Sequence, residues 1–447
     1  MTHVRFAIGL TTLALLAGTG QCMAQLAPGG PGMTDGPLVA PDPGQPAKPV
    51  EPQAKPSPLA KDAAPSVTLL RTPDAGKQPE VAFAADGTIH LVTLVGDPVH
   101  SNIEYRTRGP HDASFGPPLR VNSQDGSATG IGSLEGPRLA LGKDGSVHVV
   151  WLGSDNAEPR ATLDPKPRPR PRKDGTPLLY SRIRDGKATP QRNLLTNALV
   201  ADGGAALLAD DKGHVLVFAN ADQNLPLRNM EAMRRIFFIE SRDDGETFAA
   251  ERITQSTIAG TTAIVPPIAM RDHKGRPNVL FRAAQGNAKR DVTWMISSDD
   301  AKTWTASSVE GWRDRAVPAS AFAMALRGES LLAAWQTKNL NIATGVLRRP
   351  DTPPEFVVTM PRDVGPEGLR RDPVMLVNPA GFTLVAWTTL TTPEEGKPEP
   401  TSHSICWQVF DSEGRLLQGA SGVRSDLPPA TRACGWVNAD GSFSIMY

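Results

Sequence analysis

One short pattern recurs along the chain at intervals of 53 to 68 residues, and it constrains the fold more than any single motif does. Each copy is an apolar strand, a tight turn that contains glycine, and a second apolar strand. A two-residue hairpin needs positive φ, which glycine adopts without steric cost. Such a hairpin cannot bury both faces of its strands alone, so successive copies are expected to stack. The seven turn glycines are Gly87, Gly145, Gly213, Gly275, Gly328, Gly381 and Gly441.

The spacing leaves room for four short strands in each repeat, which is one blade of a β-propeller. A second, more polar hairpin follows the first, for example at residues 102–107 with 118–121. The last copy ends the chain after two strands, whereas residues 66–71 form an unpaired strand at the start. We predict that this N-terminal strand completes the last blade and closes an all-β ring of seven blades. Six blades is the alternative.

The propeller is expected to span residues 66–447, after two segments of a different kind. Residues 1–24 have the pattern of a signal peptide, with Arg5 before an apolar run and cleavage after Ala24. Residues 25–65 are rich in proline and show little apolar periodicity, which is typical of a disordered linker. The sequence therefore predicts an exported protein, either periplasmic or secreted.

The lipoprotein alternative depends on Cys22. Gly20 and Gln21 precede it, and they form a poor context for lipid attachment. Removal of the signal peptide would leave Cys406 and Cys434. In an oxidising compartment these two residues are candidates for one disulfide, and two buried free thiols are the alternative.

The charge balance narrows the classes of partner. Lys plus Arg and Asp plus Glu both number 47, so no excess charge attracts nucleic acid or an anionic membrane surface. No later stretch is apolar enough to span a membrane. The sequence has no paired-cysteine metal motif, phosphate-binding loop or catalytic-serine elbow, so we expect no metal and no cofactor. We expect a monomer that binds a glycan or a protein.

Two acidic turns lie in the outer hairpins of the third and fourth repeats. They read Ser241-Arg-Asp243-Asp-Gly245-Glu-Thr247-Phe248 and Ser297-Ser-Asp299-Asp-Ala301-Lys-Thr303-Trp304. Both turns resemble the Asp box, or BNR repeat, of the sialidase-like β-propeller superfamily. In this box the aspartate accepts backbone N–H groups, glycine permits a left-handed residue, and the aromatic ring packs beneath the hairpin. We expect a structural role for the box residues and a strained or reshaped turn at Ala301.

The resemblance also implies where a ligand would bind. Loops before each first strand and after each second strand share one face of a propeller, around the channel mouth. In a working sialidase three arginines hold the substrate carboxylate there, and a tyrosine paired with a glutamate is the nucleophile. The candidates on this face are Arg282, Arg371 with its neighbour Asp372, Arg432 and Tyr447, but no partner glutamate for Tyr447 is evident.

The family's Arg-Ile-Pro signature is replaced by Lys77-Gln78-Pro79, which lacks the arginine. We therefore favour a binding module that holds a glycan or protein at the channel face. An exo-sialidase type of glycoside hydrolase is the first alternative, and an assembly or scaffold factor is the second. Convergence of the three arginines beside Tyr447 would support the hydrolase, whereas their separation would argue against it.

Overall fold

The computed structural model describes the part of the chain that follows the predicted leader. The described residues are 64–130, 136–160, 176–196, 198, 200–222, 234–254, 265–284, 289–312, 319–347, 366–391, 402–427 and 432–447. The predicted signal peptide, and the predicted linker except for its last two residues, lie outside them. The described helices are two single 3-10 turns, Pro73–Ala75 and Lys143–Gly145, and neither could cross a membrane.

The described strands form seven separate sheets, and consecutive strands within each sheet run antiparallel with one exception. The chain begins with β1 (Val67–Leu70). Blade 1 contains β2 (Lys77–Phe83), β3 (Ile89–Gly96), β4 (Ser101–Arg108) and β5 (Leu119–Arg120). Blade 2 contains β6 (Arg138–Leu141), β7 (Val147–Leu152), β8 (Leu178–Arg184), β9 (Lys187–Ala188) and β10 (Arg192–Asn193). Blade 3 contains β11 (Val200–Leu208), β12 (Val215–Asp222), β13 (Arg235–Ser241) and β14 (Arg252–Ile253).

The remaining sheets continue the same order. Blade 4 contains β15 (Ile268–Arg271), β16 (Pro277–Arg282), β17 (Val292–Ile296) and β18 (Thr305–Glu310). Blade 5 contains β19 (Ala323–Arg327), β20 (Ser330–Gln336) and β21 (Ile342–Leu347). Blade 6 contains β22 (Leu369–Val377), β23 (Thr383–Leu390), β24 (His403–Phe410) and β25 (Leu416–Leu427). Blade 7 contains β26 (Cys434–Val437), β27 (Phe443–Met446) and the N-terminal strand β1.

The blades close into a ring. The first strand of each blade contacts the first strand of the next, and β26 of blade 7 contacts β2 of blade 1. Strand β1 pairs with β27, so both parts of the chain contribute to blade 7. The seven-bladed all-β propeller is thus confirmed, and the six-bladed alternative is wrong. The exception to antiparallel pairing is β1, which runs parallel to β27 with Val67 opposite Phe443.

The strands that follow the turn glycines form the core. All seven turn glycines have φ between +57° and +87°, as the hairpins require. Strands β7 and β16 are buried along their whole length, because each lies between two neighbouring blades. The apolar clusters therefore cross the blade boundaries, and one of them joins Val150 of blade 2 to Val217 of blade 3.

The turn at residues 241–248, which resembles an Asp box and is called the first box here, is held in shape by its side chains. Asp243 Oδ1 accepts the Thr247 N–H at 2.9 Å, and its Oδ2 accepts the Thr247 hydroxyl at 2.6 Å. These bonds lower the pKa of Asp243 to about 2. The Ser241 hydroxyl accepts the Gly245 N–H at 2.9 Å. Phe248 packs against the apolar cluster shared by blades 2 and 3, so the box anchors its hairpin to the core.

The second box forms the same bonds although it lacks the glycine. Asp299 accepts from the Thr303 N–H at 2.8 Å, and Ser297 accepts from the Ala301 N–H at 2.9 Å. Ala301 adopts a φ of 64°, which is costly for a residue with a side chain. Trp304 packs into the core of blades 3 and 4. The departure from the pattern thus leaves the turn in its usual shape, with the strain at Ala301.

Of the two alternatives for the cysteines, the structure has the free thiols and not the candidate disulfide. Cys406 in the third strand of blade 6 and Cys434 in the first strand of blade 7 are both buried free thiols. They belong to different apolar clusters, so core packing holds them apart. Burial also raises the pKa of both thiols, which keeps them protonated.

The first prediction concerns ring closure. Leu69 of β1 is half-buried against the core of blades 6 and 7, whereas the neighbouring Thr68 is exposed. We expect Leu69→Ala to lower the free energy of unfolding by about 1 to 2 kcal/mol through lost apolar burial. The control Thr68→Ala should change it by less than about 0.5 kcal/mol. Denaturant titration measures both values, and equal effects of the two variants would contradict the role of β1.

The second prediction concerns the thiols. Titration of the unfolded mature protein with a thiol-reactive dye, without reductant, should find both Cys406 and Cys434 reactive. The folded protein should react slowly, because both thiols are buried and protonated. Adding reductant should leave the unfolding midpoint unchanged. A midpoint that falls on reduction would show a disulfide instead.

Candidate functional site

The first strands of all seven blades line a central channel that holds a cavity of about 220 Å³. Most of its wall is apolar, since these strands carry the near-continuous apolar sequences of the repeat. The apolar lining includes Val81, Leu139, Leu207, Ile268, Met270, Phe322, Met324, Val374 and Leu376. Such a wall provides burial for a ligand but little orientation, which must come from the polar groups.

Three charged side chains lie where the first strands begin. Arg138 starts β6, Glu80 lies in β2 beside a strand bulge, and Arg432 precedes β26; all three line the cavity. Arg138 Nη1 donates to Glu80 Oε2 at 2.8 Å, and Arg432 Nη2 lies 3.8 Å from the same oxygen. The closed ring places blades 7, 1 and 2 side by side, and this brings the three residues together.

The guanidinium groups of Arg138 and Arg432 each have an N–H donor without an acceptor among the described residues. Arg138 is 5% exposed, and its Nε donates to the Ala205 carbonyl at 3.1 Å. Its Nη2 and the Nη1 of Arg432 are buried and make no hydrogen bond with any residue that the structure describes. A buried charged donor without an acceptor loses its hydration without compensation. Both nitrogens thus lack an acceptor, and a small shift of each side chain would be needed for them to reach one in the channel.

The local charge favours an anion. Burial, and to a lesser degree the nearby Arg432, lower the pKa of Arg138 to about 10, and Glu80 opposes this shift. The guanidinium is still protonated at neutral pH. Two arginines then face one carboxylate, and the site carries one excess positive charge in a largely apolar channel.

The sequence predicts Arg282 on the channel face, but the structure does not place it there. It is 1% exposed, and it donates to the carbonyls of Arg290 and Gln336 at 3.2 and 2.6 Å. Its guanidinium lies 4.8 Å from the ring centroid of Trp312 and 5.7 Å from that of Phe322. Arg282 therefore joins blades 4 and 5, because aromatic rings cover its guanidinium at the end of β16.

Arg371 and Asp372 form a separate pair in blade 6. Arg371 Nε lies 3.3 Å from Asp372 Oδ2, and Asp372 Oδ1 accepts the Ala321 N–H at 2.9 Å. Neither residue is among those that line the cavity. Asp372 is 2% exposed and has a φ of 52°. Its bond to the Ala321 N–H connects blade 5 to blade 6. It does not face an incoming ligand.

Tyr447 pairs through its backbone with the N-terminal strand region. Its N–H donates to the Leu70 carbonyl at 3.0 Å, and its carbonyl accepts the Thr72 N–H at 2.8 Å. The side chain packs against the apolar core of blades 6 and 7. Of the predicted channel residues, only Arg432 lines the cavity, so the three arginines and Tyr447 do not converge.

Sequence reasoning missed Glu80 and Arg138 as site residues. The repeat pattern identifies both residues only as members of inner strands. A charged residue in an apolar inner strand is nevertheless itself a signal of a polar site. At the matching position the other five blades carry Ala206, Ile268, Ala323, Val374 and Cys434. Within the described segments, no group of three or more histidine, cysteine, aspartate or glutamate side chains could hold a metal ion.

Comparison with solved structures finds several chains that share part of this fold. The lectin BP39L from Burkholderia pseudomallei covers 83% of this chain and 95% of its own, at 11% identity and a TM-score of 0.52. A protein of unknown function from Dyadobacter fermentans covers 76% of this chain and 97% of its own, at 18% identity and a TM-score of 0.46. The Trypanosoma rangeli sialidase covers 73% of this chain and 54% of its own, at 12% identity and a TM-score of 0.43.

No protein-family model matches the chain, and no curated protein matches it in sequence. At these identities the structural likeness concerns the fold. The seven sheets and their closed ring of contacts identify the architecture as a β-propeller.

Proposed function

We propose that this protein binds an acidic carbohydrate at the mouth of the central channel, through Arg138 and Arg432. The observation that carries this proposal is the pair of buried guanidinium nitrogens without hydrogen-bond acceptors in the cavity wall. A carboxylate accepts two N–H groups at once and matches guanidinium geometry well. Binding would satisfy both donors, whose desolvation is already complete in the empty channel.

The remaining surfaces of the cavity suit a sugar ring. Glu80 is 29% exposed through its side chain and offers its second oxygen as an acceptor for a hydroxyl group. The apolar wall beside it, which includes Val81 and Leu139, can pack against the C–H face of a pyranose. Donors, an acceptor and an apolar surface thus occur within one cavity, as recognition of an acidic sugar requires.

The geometry favours binding without turnover. A sialidase mechanism needs an activated tyrosine beside the arginine cluster, and Tyr447 packs instead on the core of blades 6 and 7. Arg282 and Arg371, which would complete the family's clamp, have partners elsewhere. Among the described residues no tyrosine lines the cavity beside Arg138 and Arg432, so the family's tyrosine nucleophile has no counterpart there.

A protein or scaffold partner has less support. Such a partner normally uses a contiguous apolar patch with a polar rim. In the described residues the exposed large apolar side chains are scattered over four blades. They are Phe83, Val99, Ile253, Leu340 and Val423.

The third prediction tests ligand binding by calorimetry. The protein should bind D-glucuronate more tightly than D-glucose, because only the acid satisfies the two guanidinium groups. Arg432→Gln and Arg138→Gln should each weaken glucuronate binding by about ten- to a hundredfold, the usual effect of losing one charge-assisted hydrogen bond.

Arg371→Gln is the matched control, since this arginine lies at the same end of its blade but outside the cavity. It should leave the affinity unchanged. Equal affinity for the acid and the neutral sugar would refute the proposal. Release of product from a sialoside, lost in Arg371→Gln, would restore the hydrolase alternative.

Export is the second part of the proposed function. It is supported by the pattern of Arg5, the following apolar run and the small residues that end at Ala24. The fourth prediction is that the mature protein, purified from its native host, begins at Gln25. Mass spectrometry of the intact protein measures this directly. A chain that retains Met1 and accumulates inside the cell would overturn export, and a lipid attached to Cys22 would favour the lipoprotein alternative.

A further inference from the structure

The turn of the first Asp box does more than close its own hairpin, because it docks on the neighbouring blade. Asp244, between the box aspartate and Gly245, is 6% exposed. Its Oδ1 accepts from the Lys143 N–H at 3.1 Å and from the Ser146 hydroxyl at 2.8 Å. It also lies 3.2 Å from His148 Nε2. One carboxylate of blade 3 thus binds three groups of blade 2.

Two arginines of blade 2 complete this boundary. Arg182 Nη1 donates to the Asp244 carbonyl at 2.7 Å, and its Nη2 pairs with Glu246. Arg192 Nη1 donates to the Glu246 carbonyl at 2.7 Å. The packing leaves no free space, since a Cβ at Gly142 would lie 2.2 Å from His148 Nε2. We call this hydrogen-bonded boundary of Asp244, Lys143, Ser146, His148, Arg182 and Arg192 the blade 2–3 latch.

The corresponding boundary between blades 3 and 4 is looser. Asp300 of the second box lies 3.3 Å from His214 Nδ1 and 2.9 Å from Arg242 Nη1. The Asp300 side chain is 53% exposed, against 9% for Asp244. Water can replace these contacts at little cost, whereas Asp244 in the latch is largely shielded from solvent.

His148 is the titratable group at the centre of the latch. It is fully buried in β7, and its Nδ1 lies 2.7 Å from the Tyr180 hydroxyl, which is also fully buried. A neutral ring with its proton on Nε2 satisfies every partner, because Nε2 donates towards Asp244 and Nδ1 accepts from Tyr180. A second proton on Nδ1 would leave the Tyr180 hydroxyl without an acceptor.

The charges that face His148 act in both directions. Asp244 favours a protonated ring, and Arg182 and Arg192 oppose it; Glu246 and Tyr180 complete the surroundings. Burial is the largest effect, and the pKa of His148 falls to about 4. The closed latch therefore holds the histidine neutral, and an open, hydrated latch would allow it to take up a proton.

The latch shares its boundary with the channel site. Arg138 crosses from blade 2 to blade 3, where its Nε donates to the Ala205 carbonyl of β11. Strands β6 and β11 are also in direct contact. A change in the distance between these two blades would therefore disturb the Arg138–Ala205 bond, which helps to hold the guanidinium beside Glu80.

We infer that the blade 2–3 latch is an acid-sensitive device that controls Arg138: protonation of His148 opens the latch, moves blade 2 from blade 3 and releases the bound anion. This inference extends the proposed function to its regulation. Neutral pH keeps the latch closed and the site competent. Acid favours the open state, in which the histidine is charged and hydrated.

The pH range follows from the direction of the shift. Because the folded pKa of His148 is depressed, the latch is fully closed above about pH 6.5 and weakens as the pH falls towards 4. Between pH 7 and pH 5 the ratio of open to closed latch should rise by at most about twentyfold.

The fifth prediction uses the full mature protein and two readouts. The Lys143 amide reports the latch, because it donates to Asp244 Oδ1, and its hydrogen-exchange protection should fall about twentyfold from pH 7 to pH 5. Affinity for D-glucuronate, which stays ionised at pH 5, should fall over the same range. In His148→Gln, which cannot be protonated, both changes should be lost or greatly reduced.

His214→Gln is the matched control, because it removes a buried histidine from the looser boundary and should retain the wild-type pH response. Parallel losses of protection and affinity in wild type and His148→Gln would overturn the inference, since any other titrating group acts on both proteins alike. If His148→Gln does not fold, Tyr180→Phe tests the same point: it removes the hydroxyl that opposes protonation, so acid should open its latch less.

Failure of the proposed function gives a different result. An absence of glucuronate binding at pH 7 would overturn the function, and the Lys143 amide would still report the latch. Acid-dependent loss of protection in wild type but not in His148→Gln would then support the device alone. Equal loss in both would reject it.

Discussion

The structure depends on the burial of apolar strands between neighbouring blades. Strands such as β7 and β16 have no exposed face, and no single blade could cover them. Burial of this kind is favourable only when every blade has a neighbour on both sides, which a closed ring provides. The same requirement explains the large tryptophans Trp151, Trp335, Trp387 and Trp436, which are fully buried in four different blades.

Polar groups are arranged around this apolar ring according to how much water they meet. At the blade 2–3 boundary Asp244 contacts His148 and Arg182, although Arg182 Nε has no acceptor among the described residues. In the channel, Arg138 and Arg432 also have nitrogens without an acceptor there. The channel residues differ because they line a cavity, where a ligand could supply the missing acceptors.

Much of the fold could be predicted from local sequence, because glycine turns and apolar strands act over short distances. Gly87 and Gly441 lie in equivalent turns of the first and the last of the seven repeats, and both adopt the positive φ that their position implies. The candidate site was harder to predict. Glu80 meets Arg432 only after the ring closes, and Arg282 is withdrawn by Trp312 and Phe322, which are distant in sequence. Local patterns contain no information about such contacts. The position of Arg371 at the start of its blade likewise does not indicate that Arg371 lies outside the cavity.

The pairing of β1 with β27 has a consequence for how the molecule forms. Val67 and Phe443 are separated by almost the whole described chain, and their contact is the most non-local pairing in the propeller. Loop-closure entropy opposes such a contact until most of the intervening chain is already ordered. The β1–β27 pair must therefore form late, after synthesis of the final strand. A chain arrested before residue 443 would remain an open fan with unpaired strand edges.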